Sequence, residues 1–244
     1  MLKITTNTNP AANGSKALSD ALGGGIRPGS LLVIEGTPGS GKSTLSLYLA
    51  YGAMLAGSQV ACYITEKKGE ELLMQMESFN MPLEHEYLTD RLRIKPLGAV
   101  SPGENTHQVL KEIIKDITCL PGRFNLIIVD CLTPFMNKLD QNHKTDVFMA
   151  LKGICGGNRS ITLVLHSHIL EKMTQLRVFS MSDYYLRTES SDRMVHPGLM
   201  DERDIKRLEM CKLHGAEMQK REVIEFEIKP GIGIQILPIY KIKI

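Results

Sequence analysis

The sequence contains no tryptophan, and aromatic residues make up only 5% of its 244 positions. It also lacks paired cysteines. Its five cysteines are scattered without a C-x-x-C pair, at Cys62, Cys119, Cys131, Cys155 and Cys211. That spacing argues against a disulfide framework and against a cysteine-based metal site. It predicts reduced, buried thiols in a cytosolic protein.

Long apolar runs and an excess of one charge are missing as well. No apolar stretch approaches the ~20 residues that span a bilayer, and the first residues lack the apolar segment of a signal peptide. The 29 basic and 27 acidic side chains give a formal net charge of +2. A broad nucleic-acid-binding face normally carries a strong basic excess. We therefore expect a cytoplasmic protein that does not bind nucleic acid directly.

A phosphate-binding motif is the most informative feature that is present. The segment Gly36-Thr37-Pro38-Gly39-Ser40-Gly41-Lys42-Ser43-Thr44 contains G-x-x-x-x-G-K-S, after an apolar run and before helix-forming residues. Such a loop wraps backbone N–H groups around a polyphosphate at a helix N-terminus. We predict that residues 37–44 bind ATP, with Lys42 on the β- and γ-phosphates and Ser43 on Mg²⁺. We expect Lys42 to face solvent before nucleotide binds.

Strand and helix patterns alternate along most of the chain. Apolar runs predict strands from residue 31 and at 59–64, 92–97, 126–130 and 161–165, with helices near 69–78, 109–117 and 145–155 between them. This order predicts an α/β domain with a mainly parallel central sheet. Short β segments at 183–188, 206–212, 222–228 and 232–237 predict an antiparallel meander at one edge. Residues 1–14 are predicted as a flexible leader, 15–244 as one domain, 15–22 as a short helix and 189–205 as a mobile loop.

Two carboxylates are candidates for the metal and for water activation. Asp130 ends an apolar strand pattern, where parallel α/β sheets place their sites. We predict that it holds Mg²⁺ through water opposite Ser43; the alternative is a turn-capping aspartate. Glu66 follows the strand pattern at 59–64 and is placed to polarise an attacking water. Glu70 and Glu71 lie close in sequence, so the choice among the three glutamates stays open.

Two more residues stand at predicted strand ends. His166 follows the strand at 161–165 and is a candidate donor to the γ-phosphate, although histidines at strand ends often have no such role. Thr133 lies just past Asp130 and is a candidate to place a hydroxyl near the attacking water. Met74, Met76 and Met81 are expected to fill gaps in the core.

The phosphate loop is preceded by Leu22-Gly23-Gly24-Gly25-Ile26-Arg27-Pro28-Gly29-Ser30, which resembles the opening of KaiC-like ATPases of the RecA superfamily. Other segments resemble the archaellum (archaeal flagellum) ATP-binding accessory proteins, FlaH or ArlH. They include Gln75-Met76-Glu77-Ser78, Val129-Asp130-Cys131-Leu132-Thr133, Gly215-Ala216-Glu217 and Pro230-Gly231. The likeness runs from about residue 15 to the end. It implies a single RecA-like domain that binds ATP and Mg²⁺ and forms a hexameric ring.

The resemblance also implies a role. Members of this family work at the cytoplasmic face of the membrane-embedded archaellum motor, where they meet the membrane only through partners. They dock to the motor ATPase and to the polytopic membrane platform protein in a nucleotide-dependent way, and they hydrolyse ATP weakly or not at all. Thr65-Glu66-Lys67 stands where KaiC-like hydrolases carry adjacent glutamates, which puts hydrolysis in question more than binding.

The resemblance further implies two residues that act on a neighbouring subunit's nucleotide. His214 stands where many relatives have an arginine, and neutral histidine is a poorer partner for phosphate. Lys212 would then carry more of this role.

Other functions stay open at this stage. One is a KaiC-like signalling ATPase or autokinase unrelated to motility, and another is a DNA-stimulated, recombinase-like ATPase. The balanced charge and the short segment at 134–145 weigh against the second. A small-molecule kinase is disfavoured because no arginine-rich lid segment is evident.

Overall fold

A nine-stranded sheet runs through the protein. The computed structural model describes residues 18, 22, 25–65, 67–98, 105–190, 204–213 and 223–237. The strands in chain order are β1 (Leu31–Gly36), β2 (Gln59–Ile64), β3 (Leu92–Pro96), β4 (Phe124–Asp130), β5 (Ser160–His166), β6 (Tyr184–Ser190), β7 (Lys206–Lys212), β8 (Val223–Lys229) and β9 (Gly233–Ile236). Their order across the sheet is β3-β2-β4-β5-β1-β6-β7-β8-β9.

Helices cover both faces of the sheet. They are α1 (Lys42–Leu55), α2 (Gly69–Ser78), α3 (Glu84–Leu88), α4 (Thr106–Cys119), α5 (Thr133–Met136), α6 (Gln141–Ile154) and α7 (Lys172–Met181), with a 3₁₀ turn at Ser167–Ile169. Side-chain oxygens accept hydrogen bonds from the first turns of two of them, Asn105 at α4 and Asp140 at α6. These caps satisfy N–H groups that have no partner inside the helix.

The parallel part of the sheet is buried on both faces. Strand β1 pairs in parallel with β5 and β6, and β2 pairs in parallel with β3 and β4. All six residues of β1 are buried, as the continuous apolar pattern predicts. One core lies between the sheet and helices α1 and α2, and the other lies under α4, α5, α6 and α7. The predicted α/β class with a mainly parallel sheet is confirmed.

The predicted antiparallel edge is confirmed as well. Strands β6 to β9 pair antiparallel with one another in sequence order. Because β6 also pairs in parallel with β1, it joins the two parts of the sheet. The strand carrying the phosphate loop therefore lies beside the C-terminal meander.

Three helices were not predicted from the sequence: α3, α5 and α7. Helices α3 and α5 are short, at five and four residues. Helix α7 buries only Thr174 and Val178, while Met173 and Leu176 are 64% and 54% exposed. Its apolar residues therefore do not form the single stripe by which an amphipathic helix is read from sequence.

Some burial expectations were wrong. Met76 and Met81 are buried as expected, but Met74 is 67% exposed on the outer face of α2. All five cysteines are free thiols, and Cys62 and Cys131 are buried, but Cys119 is exposed and the other two are half-buried. Cys119 is the last residue of α4, where the helix face turns to solvent.

Several predictions lie outside the described residues. They concern the leader at 1–14, most of the helix at 15–22, Glu66, most of the loop at 189–205, His214 and Gly215-Ala216-Glu217. Within the described ranges, no helix combines the length and the apolar character needed to cross a bilayer.

Candidate nucleotide-binding site

The predicted phosphate loop connects β1 to the N-terminus of α1. Gly39 and Gly41 adopt left-handed conformations, with φ of 76° and 85°, which glycine adopts without strain. No side chain caps α1, and its first turn contains no acidic residue. The free N–H groups and the positive end of the helix dipole therefore point into the loop, which is the arrangement that binds phosphate.

Lys42 lies inside this loop and not in solvent. Lys42 is only 5% exposed, and its Nζ donates to the Thr37 carbonyl oxygen at 2.6 Å. The Ser40 hydroxyl and backbone N–H donate to the same oxygen, at 2.7 and 3.2 Å. The expectation that Lys42 faces solvent is therefore wrong, because the loop itself supplies an acceptor for its ammonium group.

A cavity of about 250 Å³ opens above the loop. It is lined by Pro38, Gly39, Gly41, Lys42, Ser43, Thr44, Asp130, His166 and Ile228. The structure thus brings most of the predicted loop residues together with the predicted metal ligand and the predicted phosphate sensor. Thr37 and Ser40 do not line the cavity; they are hydrogen-bonded to each other within the loop, and Ser40 is fully buried.

A smaller cavity of about 20 Å³ adjoins the same site, with space for about one water. Its walls are Ser43, Ile64, Lys67, Leu72, Gln75 and Asp130. Ser43 and Asp130 therefore line both cavities. A hydroxyl and a carboxylate are oxygen donors of the kind Mg²⁺ takes when phosphate and water complete its shell. The donor set fits the predicted metal ion.

Asp130 is held by the neighbouring strand end. The Asp130–Cys131 peptide bond is cis, and the Thr65 hydroxyl accepts a hydrogen bond from the Cys131 N–H at 3.1 Å. The Thr65 N–H donates to the Asp130 carbonyl oxygen at 3.0 Å. The end of β2 is thereby fixed to the end of β4 that carries Asp130.

Thr133 makes a different connection from the one expected. It is 4% exposed, and its hydroxyl accepts from the His166 backbone N–H at 3.2 Å. The residue does not line either cavity. It ties the start of α5 to the end of β5 and so fixes His166 beside Asp130. Its role near the attacking water stays a prediction, as does that of Glu66.

The C-terminal strands cover the phosphate loop, a feature that the sequence analysis missed. A Cβ added to Gly41 would lie 3.0 Å from both Ile228 and Lys206 and 3.3 Å from Phe226. Ile228 also forms one wall of the larger cavity. The alternation of Ile224, Phe226 and Ile228 along β8 was the available signal, but it does not show which loop the apolar face meets.

A buried polar cluster lies directly before the loop. Glu35 is 2% exposed and accepts hydrogen bonds from the Tyr185 hydroxyl at 2.6 Å and from the Gln175 amide at 2.8 and 3.0 Å. The Arg187 guanidinium lies 3.8 Å away. Burial, followed by the neighbouring Glu35, raises the pKa of Tyr185 well above its usual range. Its hydroxyl therefore remains a donor, and the cluster joins β1, β6 and α7.

Lys212 lies apart from the cavity of its own chain. It pairs with Tyr185 near the start of β6, and its Nζ donates to the Phe179 and Ser180 carbonyl oxygens at 2.9 Å each. These carbonyls belong to the last turn of α7, and burial lowers the pKa of Lys212. Tyr185 lies beside the start of β1, whereas the phosphate loop follows the last residue of β1, Gly36. Lys212 therefore does not reach the loop within one chain. Its implied contact with a neighbouring subunit's nucleotide stays a prediction.

Several known proteins are similar to this chain over nearly its whole length. The archaeal flagellar ATP-binding protein FlaH of Sulfolobus acidocaldarius is 23% identical over 93% of this chain and 96% of its own. The FlaH of Methanocaldococcus jannaschii is 25% identical over 90% and 91%. The crystal structure of flagellar accessory protein FlaH from the same organism superposes with a TM-score of 0.72 at 21% identity, covering 91% and 96%.

That last similarity shows the fold alone, which is the predicted RecA-like α/β fold. The family model described as "ATPase: KaiC" matches residues 12–241. The match includes the phosphate loop, Asp130 and the strands that cover the loop. The chain belongs to the KaiC family of ATPases.

Proposed function

We propose that this protein is the ATP-binding regulatory and assembly component of an archaellum motor complex. The observation that carries the proposal is the cavity in which the phosphate loop, Ser43 and Asp130 meet. The similarity to FlaH over about nine-tenths of the chain gives that nucleotide site its biological setting.

The nucleotide orientation follows from the chemistry of the cavity walls. The phosphates belong at the N-terminus of α1, near Lys42, and the base belongs toward the apolar side chain of Ile228. Lys42 exchanges the Thr37 carbonyl oxygen for the β- and γ-phosphate oxygens when nucleotide binds. Ser43 and Asp130 would hold Mg²⁺, which would supply positive charge against the phosphates.

Binding is proposed to matter more than turnover. The sequence Thr65-Glu66-Lys67, which follows β2 in the chain, carries one glutamate followed by a lysine. In this proposal ATP drives assembly into a hexameric ring that docks to the motor ATPase and the membrane platform protein, at the cytoplasmic face of the motor. Hydrolysis is weak or absent.

The test measures particle mass and ATP turnover on one purified sample, with and without ATP–Mg²⁺. We expect assembly that depends on ATP, with turnover far below the ~1–10³ s⁻¹ typical of enzymes. We also expect the motor ATPase to co-purify with the wild-type protein in ATP and not with Lys42→Ala. A monomer that hydrolyses ATP briskly, or that does so only with DNA, contradicts the proposal.

A further inference from the structure

Lys67 stands beyond the phosphate end of the proposed nucleotide. The larger cavity is lined by Ile228, the phosphate loop and Asp130, and the smaller cavity shares Ser43 and Asp130 with it and adds Lys67 and Gln75. With the base toward Ile228, the γ-phosphate is the part of ATP that faces the smaller cavity. Lys67 therefore lies on the side of the site that distinguishes a triphosphate from a diphosphate.

The Lys67 side chain is held in place by its neighbour on α2. Its Nζ donates to the Gln75 amide oxygen, and both residues line the smaller cavity. Gln75 lies on α2, the 10-residue helix that begins directly after this segment and buries Leu72 and Met76 in the core. The amide therefore fixes the ammonium group at the cavity wall and lowers the entropy lost when a ligand binds.

Charge makes this placement informative. Within the described part of the chain, a neutral amide and not a carboxylate lies against the Lys67 ammonium group. A cation whose partner among the described residues is a neutral amide retains attraction for an anion that enters the site. The carboxylate that lines the same cavity, Asp130, is the predicted Mg²⁺ ligand. Lys68, the next residue, is exposed, and its backbone N–H faces the Glu71 carboxylate at 3.4 Å. The two adjacent lysines thus differ in placement, because Lys67 lines the cavity and Lys68 is exposed at the start of α2.

We propose that Lys67 binds the γ-phosphate and makes the site select ATP over ADP. The inference rests on the nucleotide binding proposed above and assigns a specificity-determining residue within that site. An ammonium group donates hydrogen bonds and accepts none. Lys67 can therefore neutralise the terminal phosphate but cannot take a proton from water. Its position is consistent with a site that senses ATP without turning it over quickly.

The experiment compares affinities for ATP–Mg²⁺ and ADP–Mg²⁺ by competition against a fluorescent ATP analogue. The proteins are the wild type, Lys67→Met, Lys67→Arg and the matched control Lys68→Met. Lys67→Met should weaken ATP binding roughly ten- to a hundredfold, the range of one hydrogen bond between charged groups, and change ADP binding less than about twofold. Lys67→Arg should retain most of the preference for ATP. Gln75→Leu, which removes the acceptor, should shift the ratio in the same direction as Lys67→Met.

The control separates a local contact from a general effect of charge. Lys68→Met should leave both affinities unchanged, and thermal melting should show that all variants fold. An equal loss for ATP and ADP in Lys67→Met, or equal effects of Lys67→Met and Lys68→Met, overturns the inference while leaving nucleotide binding intact. A wild-type protein that binds neither nucleotide overturns both the proposed function and this inference.

Discussion

The hydroxyl groups of Thr188 on β6 and Ser40 in the phosphate loop lie 2.7 Å apart, and both residues are fully buried. Ser40 uses its proton on the Thr37 carbonyl oxygen, which can only accept. Thr188 is therefore the donor to Ser40, and its hydroxyl also lies 3.4 Å from the Glu35 carbonyl oxygen, a longer contact that shares the same proton. The same Thr37 oxygen holds the Lys42 ammonium group, so a chain of hydrogen bonds runs from β6 to the lysine of the loop.

This chain predicts that Thr188→Val loosens the phosphate loop. Valine keeps the shape of threonine but removes the donor, and one buried hydrogen bond is worth about 1 kcal/mol. We expect the melting temperature to fall by about 2–4 °C and the loop amides to exchange hydrogen faster. Thr188→Ser should behave like the wild type. Thr162→Val, a buried threonine of β5 away from the loop, is the control, and equal exchange in both valine variants would refute the prediction.

Lys42→Ala should abolish ATP binding and also cost some stability. The second effect follows from burial, because the variant loses the bond to the Thr37 oxygen and the packing of a residue that is 5% exposed. We expect the melting temperature to fall by a few degrees without nucleotide, measured by scanning calorimetry. Lys138→Ala, an exposed position, should leave it unchanged. Normal ATP binding by Lys42→Ala would show that the loop has been misassigned.

Ile228→Ala should weaken ATP and ADP binding to the same extent. The side chain forms the apolar end of the cavity, where the proposed orientation places the base common to both nucleotides. Ile228 is half-buried, so its truncation removes the equivalent of about one or two buried methylene groups, at about 0.8 kcal/mol each, and predicts a loss of roughly three- to tenfold in a competition assay. Ile236→Ala, in a half-buried residue of the neighbouring strand, is the control. A loss confined to ATP would mean that the nucleotide lies the other way round.

The carboxylate of Asp116 on α4 should make stability sensitive to acid. Burial alone would raise its pKa, but hydrogen bonds from Lys95, at 2.6 and 2.7 Å, and from the Tyr63 hydroxyl outweigh burial and lower the pKa. Because the folded pKa lies below the unfolded one, the stabilisation is present above about pH 4 and is lost as the pH falls through the folded value. The pair is partly exposed, so the contribution is ~0–1 kcal/mol.

The variant Asp116→Asn tests the direction of this pKa shift. The variant should unfold more easily than the wild type in urea at pH 7, and the difference should shrink at pH 3. The exposed Asp146→Asn is the control. A difference that grows on acidification would mean that the folded pKa is raised.

Thiol reactivity should follow burial. Burial, with a smaller contribution from Asp130, raises the pKa of Cys62 to about 12, and burial also raises the pKa of Cys131. The reactive form is the thiolate, so neither residue should react with a disulfide reagent at pH 8 before denaturation. The exposed Cys119 should react at once, and Cys119→Ser should remove that fast phase. The half-buried Cys155 and Cys211 should react more slowly, and an undiminished fast phase in Cys119→Ser would contradict this order.

The parallel half of the fold could be read from the sequence because its strands are buried on both faces. Continuous apolar runs such as Leu126–Val129 have no other common explanation within such a short length. The phosphate loop and Asp130 were identified for a similar reason, since each follows directly from one strand end. Helix α2, with its ends at Gly69 and Ser78, was also placed correctly by its apolar spacing.

The remaining features depend on contacts between distant parts of the chain. The pairing of β6 with both β1 and β7 brings Thr188 to Ser40, which are 148 positions apart. Likewise, nothing local to Ile228 predicts that it lines the nucleotide cavity. The contact of Lys42 with Thr37 is an exception, because it spans only five residues and depends on how the loop folds back on itself. Helix α7 was missed because packing, not periodicity, fixes it against α6. Tertiary contacts decided these features, and a single sequence does not display them.

The position of β1 also bears on how the chain is made. Its only partners in the described sheet are β5 and β6, which begin at Ser160 and Tyr184. A nascent chain that has emerged only as far as α6 thus presents the phosphate-loop strand with both edges unpaired. At roughly 5–20 residues per second, translation leaves this strand waiting on the order of ten seconds or more for its neighbours. Nucleotide capture is therefore a late event in biosynthesis, and a ribosome stalled before residue 160 would expose an aggregation-prone strand instead of an ATP site.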